Sequence, residues 1–187
     1  LRTACQQAIA LHQAGFALRM AVNISVRQFQ HPGFTDMVSD ILAEVGLDAA
    51  WLELEITETI AAHDAQQTLM TLIDLKARGI YLSIDDFGTG YSSLVTLKNL
   101  PIDRIKIAQE FVRDIPGNQD DVAIVETIIA MARNLGLAVI AEGVETRQQL
   151  EFLQQRGCCD MQGYYFARPL RAEQILPFLT NPPLSRC

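Results

Sequence analysis

The sequence has no apolar run close to the ~20 residues that a membrane-spanning helix requires. It also has no secretory signal pattern, because Arg2, Gln6 and Gln7 interrupt the apolar residues that follow Leu1. The net charge of -7 provides no basic surface of the kind that binds DNA or RNA polymers. We therefore expect a cytoplasmic protein, or the cytoplasmic part of a protein tethered to a membrane.

Cysteine is scarce, and no pair of cysteines has the Cys-x-x-Cys or Cys/His spacing of a zinc site. The four cysteines are Cys5, Cys158, Cys159 and Cys187. Neighbours such as Cys158 and Cys159 rarely bridge each other, so we predict four reduced thiols, as in a cytoplasmic protein. The three histidines (His12, His31 and His63) also lack ligand spacing, which favours surface or capping roles.

Strand-type and helix-type hydrophobic spacing alternate along the whole chain. Six strands are predicted, at residues 18–26, 52–56, 80–86, 102–108, 138–141 and 159–166. Helices are predicted between and around them, at residues 1–14, 32–46, 62–78, 94–100, 119–136, 146–157 and 171–179. This alternation favours an α/β fold with a parallel sheet. The two common nucleotide fingerprints, G-x-G-x-x-G and G-x-x-x-x-G-K-[ST], are both missing.

A polar residue stands near the carboxyl end of every predicted strand. These residues are Asn23, Glu55, Asp85, Lys106, Glu142 and Gln162. A (β/α)8 barrel of the TIM type builds its active site there, from several strands at once. Such a barrel usually needs ~250 residues and eight strands. We therefore predict a TIM-like barrel over residues 1–179 that lacks its first one or two strand units, followed by a frayed tail at 180–187.

Two adjacent carboxylates, Asp85 and Asp86, end the third predicted strand and precede a loop that contains Gly88 and Gly90. Adjacent side chains on a strand point to opposite faces, so both can reach one site only because the strand ends there. Paired acidic groups before a glycine-rich loop suit a divalent cation and a phosphorylated ligand. The alternative is a helix N-cap turn, in which Asp86 or Ser92 accepts hydrogen bonds from backbone N–H groups.

Residue parity places five polar side chains on one face of the predicted sheet. They are Asn23, Glu55, Asp85, Lys106 and Glu142. Burying such groups together is costly unless they bind something, and their oxygens suit a hard cation such as Mg²⁺ or Mn²⁺. Two such cations ~4 Å apart would support phosphodiester hydrolysis, with Lys106 stabilising phosphate charge and Glu142 acting as base. The alternative is an internal salt-bridge network about Lys106.

Six motifs, in a fixed order, give the chain a specific resemblance to a known family. The motifs are Asn23-Ile24-Ser25, Glu55-Ile56-Thr57-Glu58, the run from Asp85 to Ser92, Lys106-Ile107, the run from Ala141 to Thr146, and Gln162-Gly163-Tyr164. The sequence resembles the EAL domains, which are bacterial cyclic di-GMP phosphodiesterases, over about residues 1–179. The resemblance implies a (β/α)8-like barrel that hydrolyses cyclic di-GMP to the linear dinucleotide pGpG by metal-activated water, with Mg²⁺ or Mn²⁺.

The resemblance also implies which residues hold the metal ions. Asn23, Glu55 and Asp85 correspond to ligands of the first cation. Asp85 and Asp86 correspond to the link with the second cation.

Further roles follow from the same resemblance. Lys106 corresponds to the residue that holds the attacking water, and Glu142 to the proposed general base. Gln162 corresponds to a contact with the dinucleotide. Glu58 would brace the loop at residues 86–93, and Glu145 would support the metal site.

Two departures from the family pattern leave more than one function open. The Glu-Ala-Leu strand is missing, and the chain reads Lys106-Ile107-Ala108 where the family usually reads Lys-Ile-Asp. We therefore expect either a phosphodiesterase or an inactive receptor that binds cyclic di-GMP and signals to a neighbouring domain. A scaffold that binds only protein is a third hypothesis. The resemblance also implies a homodimer through the helix at residues 94–99 and fusion to sensor or GGDEF domains.

Overall fold

A computed structural model describes residues 1–62, 65–90 and 94–181. Within these ranges, six strands join one sheet in chain order. The strands are β1 (Met20–Ile24), β2 (Leu52–Thr57), β3 (Tyr81–Phe87), β4 (Arg104–Ile107), β5 (Ala138–Ala141) and β6 (Asp160–Met161). The α/β fold and the parallel sheet predicted from hydrophobic spacing are confirmed.

Ten α-helices are found in the described ranges. They are α1 (Arg2–Gln13), α2 (Val26–Phe29), α3 (Phe34–Val45), α4 (Glu58–Ala62), α5 (Ala65–Ala77), α6 (Leu94–Asn99), α7 (Gln109–Arg113), α8 (Gln119–Leu135), α9 (Arg147–Gln155) and α10 (Ala172–Thr180). None of the helices in the described part of the chain is long and apolar enough to cross a membrane. Internal contacts divide the described residues into a first unit (1–83 and 94–102) and a second unit (84–90 and 103–181).

In the first unit, β1 and β2 pair in parallel, with Asn23 directly opposite Glu55. Strand β2 is buried from Leu52 to Ile56, including the side chains on both of its faces. Strand alternation places the leucines on one side and the glutamates on the other, and the side with the glutamates is buried too. Burial on both faces is typical of parallel sheets, and here it encloses two carboxyl groups, Glu53 and Glu55.

In the second unit, β5 pairs in parallel with both β4 and β6. Helix α8 packs its apolar stripe, which includes Val125, Ile129 and Ala132, into the core beneath β4 and β5. Asn118 caps the start of α8, since its side chain accepts a hydrogen bond from the backbone N–H of Asp120. Gly136 ends the helix in a left-handed conformation (φ 72°), which glycine adopts without steric cost.

Three predicted strands are longer than the strands in the structure; one of them, β4, contains Arg104–Ile107 instead of 102–108. Strand β1 ends at Ile24 instead of Val26, because Ser25 forms a capping box with Gln28 and starts α2. Strand β6 contains only Asp160–Met161 instead of 159–166, because the backbone beyond it turns around Val144. Helices α2, α4 and α7 are absent from the sequence prediction, since a single helical turn leaves too few residues to show a period.

Some predictions concern residues outside the described ranges. These are His63, the loop residues Tyr91, Ser92 and Ser93, the tail at 182–187 and Cys187. The other three cysteines are free thiols. The assignment of residues 1–179 to a single domain stays a prediction.

Candidate active site

The two carboxylates at the end of β3 reach the same place through a local change in backbone conformation. Asp86 has a φ of 51°, a left-handed value that is uncommon for a residue other than glycine. This interrupts the alternation of an extended strand, which would otherwise send Asp85 and Asp86 to opposite faces. One oxygen from each of Asp85, Asp86 and Glu142 lies within 4.8 Å of the other two. The structure thus brings together three of the predicted acidic residues.

Lys106 lies in the middle of β4 and is only 3% exposed. Its Nζ is 2.8 Å from Asp85 Oδ1 and 2.6 Å from Glu142 Oε1. An ammonium group buried to this extent needs partners that compensate for lost hydration, and the two carboxylates provide them. The salt-bridge network considered from the sequence is therefore present. However, three carboxylates and one ammonium leave an excess of two negative charges, which suits a divalent cation.

Glu142 follows β5 directly and is held from two directions. Its backbone N–H donates to the carbonyl oxygen of Ile107 on β4, with an N···O distance of 3.2 Å. Its Oε1 accepts a hydrogen bond of 2.6 Å from Nε2 of Gln162, which follows β6. Residues from the ends of β3, β4, β5 and β6 thus meet within the second unit, as expected for strands of a parallel sheet that end at the same edge.

Two glycines allow the close backbone approaches that shape this region. Gly143 has a φ of 69°, and a Cβ atom there would overlap the side chain of Gln109. A Cβ atom on Gly163 would overlap the backbone of Val144. A larger residue at Gly143 would therefore overlap the Gln109 side chain, and one at Gly163 would overlap the backbone of Val144, two residues after Glu142.

A groove of about 340 Å³ lies beside Glu142. Its lining includes Glu145 and Gln162 together with Tyr164 and Arg168. The guanidinium carbon of Arg168 lies 4.8 Å from the centre of the half-exposed Tyr164 ring. Arg168 and Gln109 were missed in the sequence analysis. The run Tyr164-Tyr165-Phe166-Ala167-Arg168 after β6 is the signal that could have indicated this aromatic and basic edge.

The remaining predicted site residues belong to the first unit. Asn23 is exposed and lies in register with Glu55, which is 7% exposed. Glu58 begins α4 and is 4% exposed. The roles predicted for these three residues stay predictions.

Ala108 is the position at which the chain departs from Lys-Ile-Asp. It is 2% exposed and occupies the N-cap of α7. An alanine cannot accept a hydrogen bond, and this N-cap has no side-chain hydrogen bond to the helix. The carboxylate missing from this position is therefore also a missing helix cap.

Comparison with known proteins places this geometry in a family. The chain belongs to the EAL domain family, whose model matches residues 1–169. It is 47% identical over 180 residues to the cyclic di-GMP phosphodiesterase NbdA of Pseudomonas aeruginosa, which covers 96% of this chain and 23% of NbdA. It is 45% identical over 177 residues to the bifunctional diguanylate cyclase/cyclic di-GMP phosphodiesterase MucR of the same organism, covering 94% of this chain and 26% of MucR.

Solved structures agree with this assignment. The PaMucR phosphodiesterase in complex with cyclic di-GMP matches with a TM-score of 0.90 and 44% identity, over 93% of this chain and 71% of that chain. A manganese and cyclic di-GMP complex of Klebsiella pneumoniae BlrP1 matches with a TM-score of 0.81 and 34% identity, over 90% of this chain and 43% of that chain. The chain spans about a quarter of the length of the first two curated relatives, 23% and 26%.

Proposed function

We propose that this chain is the catalytic domain of a cyclic di-GMP phosphodiesterase, which hydrolyses cyclic di-GMP to pGpG with the help of a divalent cation. The observation that carries the proposal is the group formed by Asp85, Asp86, Glu142 and Lys106 at one edge of the sheet. The named activities of NbdA and MucR support it, as do the solved complexes of relatives with cyclic di-GMP.

The acidic group fits a hard divalent cation by its chemistry. Asp85, Asp86 and Glu142 offer carboxylate oxygens, which Mg²⁺ and Mn²⁺ prefer over nitrogen or sulfur. When bound, such cations lower the pKa of a coordinated water and neutralise the charge of a phosphodiester. Manganese and calcium complexes of the relative BlrP1 support the use of a divalent metal. Asn23 and Glu55 are proposed as further cation ligands.

The protein's own side chains would divide the remaining work. Lys106 is held in place by two carboxylates, so its positive charge is fixed where a phosphate and an attacking water would meet. Glu142 is proposed as the general base, oriented by its hydrogen bond from Gln162. Gln162 and Glu145, which line the groove beside Glu142, would contact the dinucleotide and support the metal site.

An inactive receptor for cyclic di-GMP is the second candidate. It is favoured by the ion pairs of Lys106, which already satisfy Asp85 and Glu142 without any catalytic step, and by Ala108 in place of the usual aspartate. A receptor would keep the groove and bind the dinucleotide but release no product.

The two candidates are separated by measuring turnover and binding in the same intact protein. Cyclic di-GMP is incubated with the protein and Mg²⁺ or Mn²⁺, and pGpG is quantified by chromatography. Binding is measured by calorimetry with Ca²⁺. The phosphodiesterase predicts pGpG formation that is lost in Asp85→Asn and kept in Asp40→Asn, an exposed control on α3. Binding without pGpG formation would assign the receptor. The absence of both binding and pGpG formation would contradict both candidates.

The proposal extends to partners. A homodimer, and fusion to sensor or GGDEF domains, are proposed from family membership; the name of the relative MucR, a bifunctional cyclase and phosphodiesterase, supports the fusion. A cytoplasmic location is likewise proposed.

A further inference from the structure

Gln149 is a buried amide on α9, 4% exposed, whose hydrogen bonds join two separate segments. Its Oε1 accepts from the backbone N–H of Glu145 (2.8 Å) and of Thr146 (2.9 Å). Its Nε2 donates to the carbonyl oxygens of Val112 (3.1 Å) and Arg113 (2.8 Å) at the end of α7. A glutamine side chain has two N–H donors and two acceptor lone pairs. All four are used.

Helix capping accounts for only half of these bonds. The capping box at the start of α9 pairs Thr146 with Gln149 and explains why Oε1 faces the backbone N–H of Thr146. It requires nothing from Nε2. The two bonds from Nε2 instead satisfy the last carbonyl groups of α7, which have no partner within such a short helix. The side chain therefore connects α7 to the segment before α9.

Both connected segments lead directly to the candidate active site. Only Ile107 and Ala108 separate Lys106 from the start of α7. Only Gly143 and Val144 separate Glu142 from Glu145. A rigid link between α7 and residues 145–146 thus fixes the segment that carries Lys106 relative to the segment that carries Glu142. The side chains of these two residues form the 2.6 Å ion pair.

We propose that Gln149 is a positioning residue that holds Glu142 against Lys106 for the hydrolysis of cyclic di-GMP. The expected change in kcat rests on the proposed function. The expected change in the distance between Lys106 and Glu142 does not depend on it. Gln149 touches neither the carboxylates nor the groove, so it acts through the backbone of Glu145 and Thr146.

The decisive variant is Gln149→Glu, which has nearly the same shape. A carboxylate still accepts the N–H groups of Glu145 and Thr146, and glutamate suits this position of a capping box. It cannot donate to Val112 and Arg113, and its second oxygen would face their carbonyl oxygens. The variant therefore keeps the cap and breaks the link. Gln149→Asn is a second variant, because its amide is one methylene too short to span both segments.

Two control variants distinguish the positioning role of Gln149 from an effect of added charge and from an effect of lower stability. Gln148→Glu makes the same change at the exposed neighbouring position. Thr146→Ala removes the hydroxyl that accepts from the backbone N–H of Gln149 while leaving the side-chain link intact. We expect Gln148→Glu to behave as the wild type, and Thr146→Ala to lower Tm without changing kcat.

For Gln149→Glu in the intact protein we expect kcat to fall on the order of 10- to 100-fold, because small misplacement of catalytic groups has effects of this size. The KM for cyclic di-GMP should change much less, because no substrate contact is removed. A lower Tm with unchanged kcat would overturn the proposal and leave a structural role. If Gln149→Glu does not fold, the same criteria apply to Gln149→Asn.

Crystal structures of the same variants give a readout that does not depend on activity. We expect Lys106 Nζ and Glu142 Oε1 to separate beyond ion-pair distance in Gln149→Glu and to stay paired in Gln148→Glu. An intact pair in Gln149→Glu would refute the positioning role. If the wild type produces no pGpG, the proposed function fails. The distance between Lys106 Nζ and Glu142 Oε1 in the variants then tests the positioning role by itself.

Discussion

Lys106 Nζ and Glu142 Oε1 lie 2.6 Å apart, although Lys106 lies in β4, Glu142 follows β5, and two helices separate them in the chain. The pairing follows from the register of β4 and β5. Lys106 lies opposite Ile140, and Glu142 comes two residues later, so its side chain is on the same face as that of Ile140. A long lysine side chain spans this offset. The ion pair is thus a direct consequence of parallel pairing.

Removal of the Lys106 charge should strongly destabilise the fold. In Lys106→Met, Asp85 and Glu142 lose the cation between them and repel each other at a site of low exposure. Breaking a buried ion pair in this way costs about 3–5 kcal/mol. Urea unfolding of the metal-free protein measures the change. The matched control is Lys98→Met on the exposed face of α6, and equal effects in both variants would contradict the prediction.

Glu142→Gln should separate catalysis from binding. The amide keeps the shape of the side chain but cannot take up a proton, so turnover of cyclic di-GMP should fall by orders of magnitude, about 10²–10⁴-fold for a general base. Affinity for cyclic di-GMP, measured by calorimetry with Ca²⁺, should largely survive. Glu126→Gln, on the surface helix α8, serves as the control for a lost carboxylate. Comparable turnover in Glu142→Gln would remove this residue from the role of base.

A hydroxyl at Ala108 should stabilise the protein. Ala108 is the N-cap of α7 and makes no side-chain cap. In Ala108→Ser the added oxygen can accept from a backbone N–H of the first turn, a gain of about 1 kcal/mol. The comparison is Ala132→Ser, a buried position inside α8 that offers no free N–H, where the hydroxyl should destabilise. Thermal unfolding of both variants checks the sign, and a loss of Tm in Ala108→Ser would disprove the capping argument.

The Arg78–Asp74 pair should make stability depend on pH under acidic conditions. Hydrogen bonds from the Arg78 guanidinium, at 3.0 Å to each carboxylate oxygen, hold the pKa of Asp74 below its usual value. Since the folded pKa is lower than the unfolded one, the contribution is complete above pH ~4 and is lost as pH falls further. It is at most about 1 kcal/mol, because the Asp74 side chain is 44% exposed.

The measurement is urea unfolding of wild type and Asp74→Asn between pH 7 and pH 3. The variant should be less stable at neutral pH, and the difference should shrink toward pH 3. Asp40→Asn, at an exposed position on α3, should show no such convergence. A difference that stays constant with pH would show that the Asp74 charge is not responsible.

The two adjacent cysteines should react very differently with a thiol reagent. Cys159 is exposed, whereas Cys158 is 1% exposed and burial raises its pKa to about 12. Because the thiolate is the reactive form, iodoacetamide at pH 8 should label Cys159 and spare Cys158 in the folded protein. Peptide mass spectrometry distinguishes the two sites, and unfolding in urea should make both react. Equal labelling of the native protein would contradict this burial.

The hydrophobic spacing of the sequence was sufficient to predict the α/β fold, because strands and helices of normal length show their period directly. The limits predicted for the helix at 119–136 and the strand at 138–141 agree with α8 and β5 to within a residue. The shortened β6 could not be predicted in this way. Its apolar residues have strand character, but hydrogen bonds to Val144, distant in sequence, turn the backbone.

The candidate site also has features that the sequence predicts and features that require the structure. The sequence by itself determined which chemical groups end the strands, because alternation along a strand assigns Asp85, Lys106 and Glu142 to one face. The sequence also predicted that Asp86 reaches the same site, but only the structure shows how, through a left-handed backbone at this single residue. The link made by Gln149 is also tertiary, because its partners in α7 lie 36 and 37 residues away, and no local pattern records a contact at that separation.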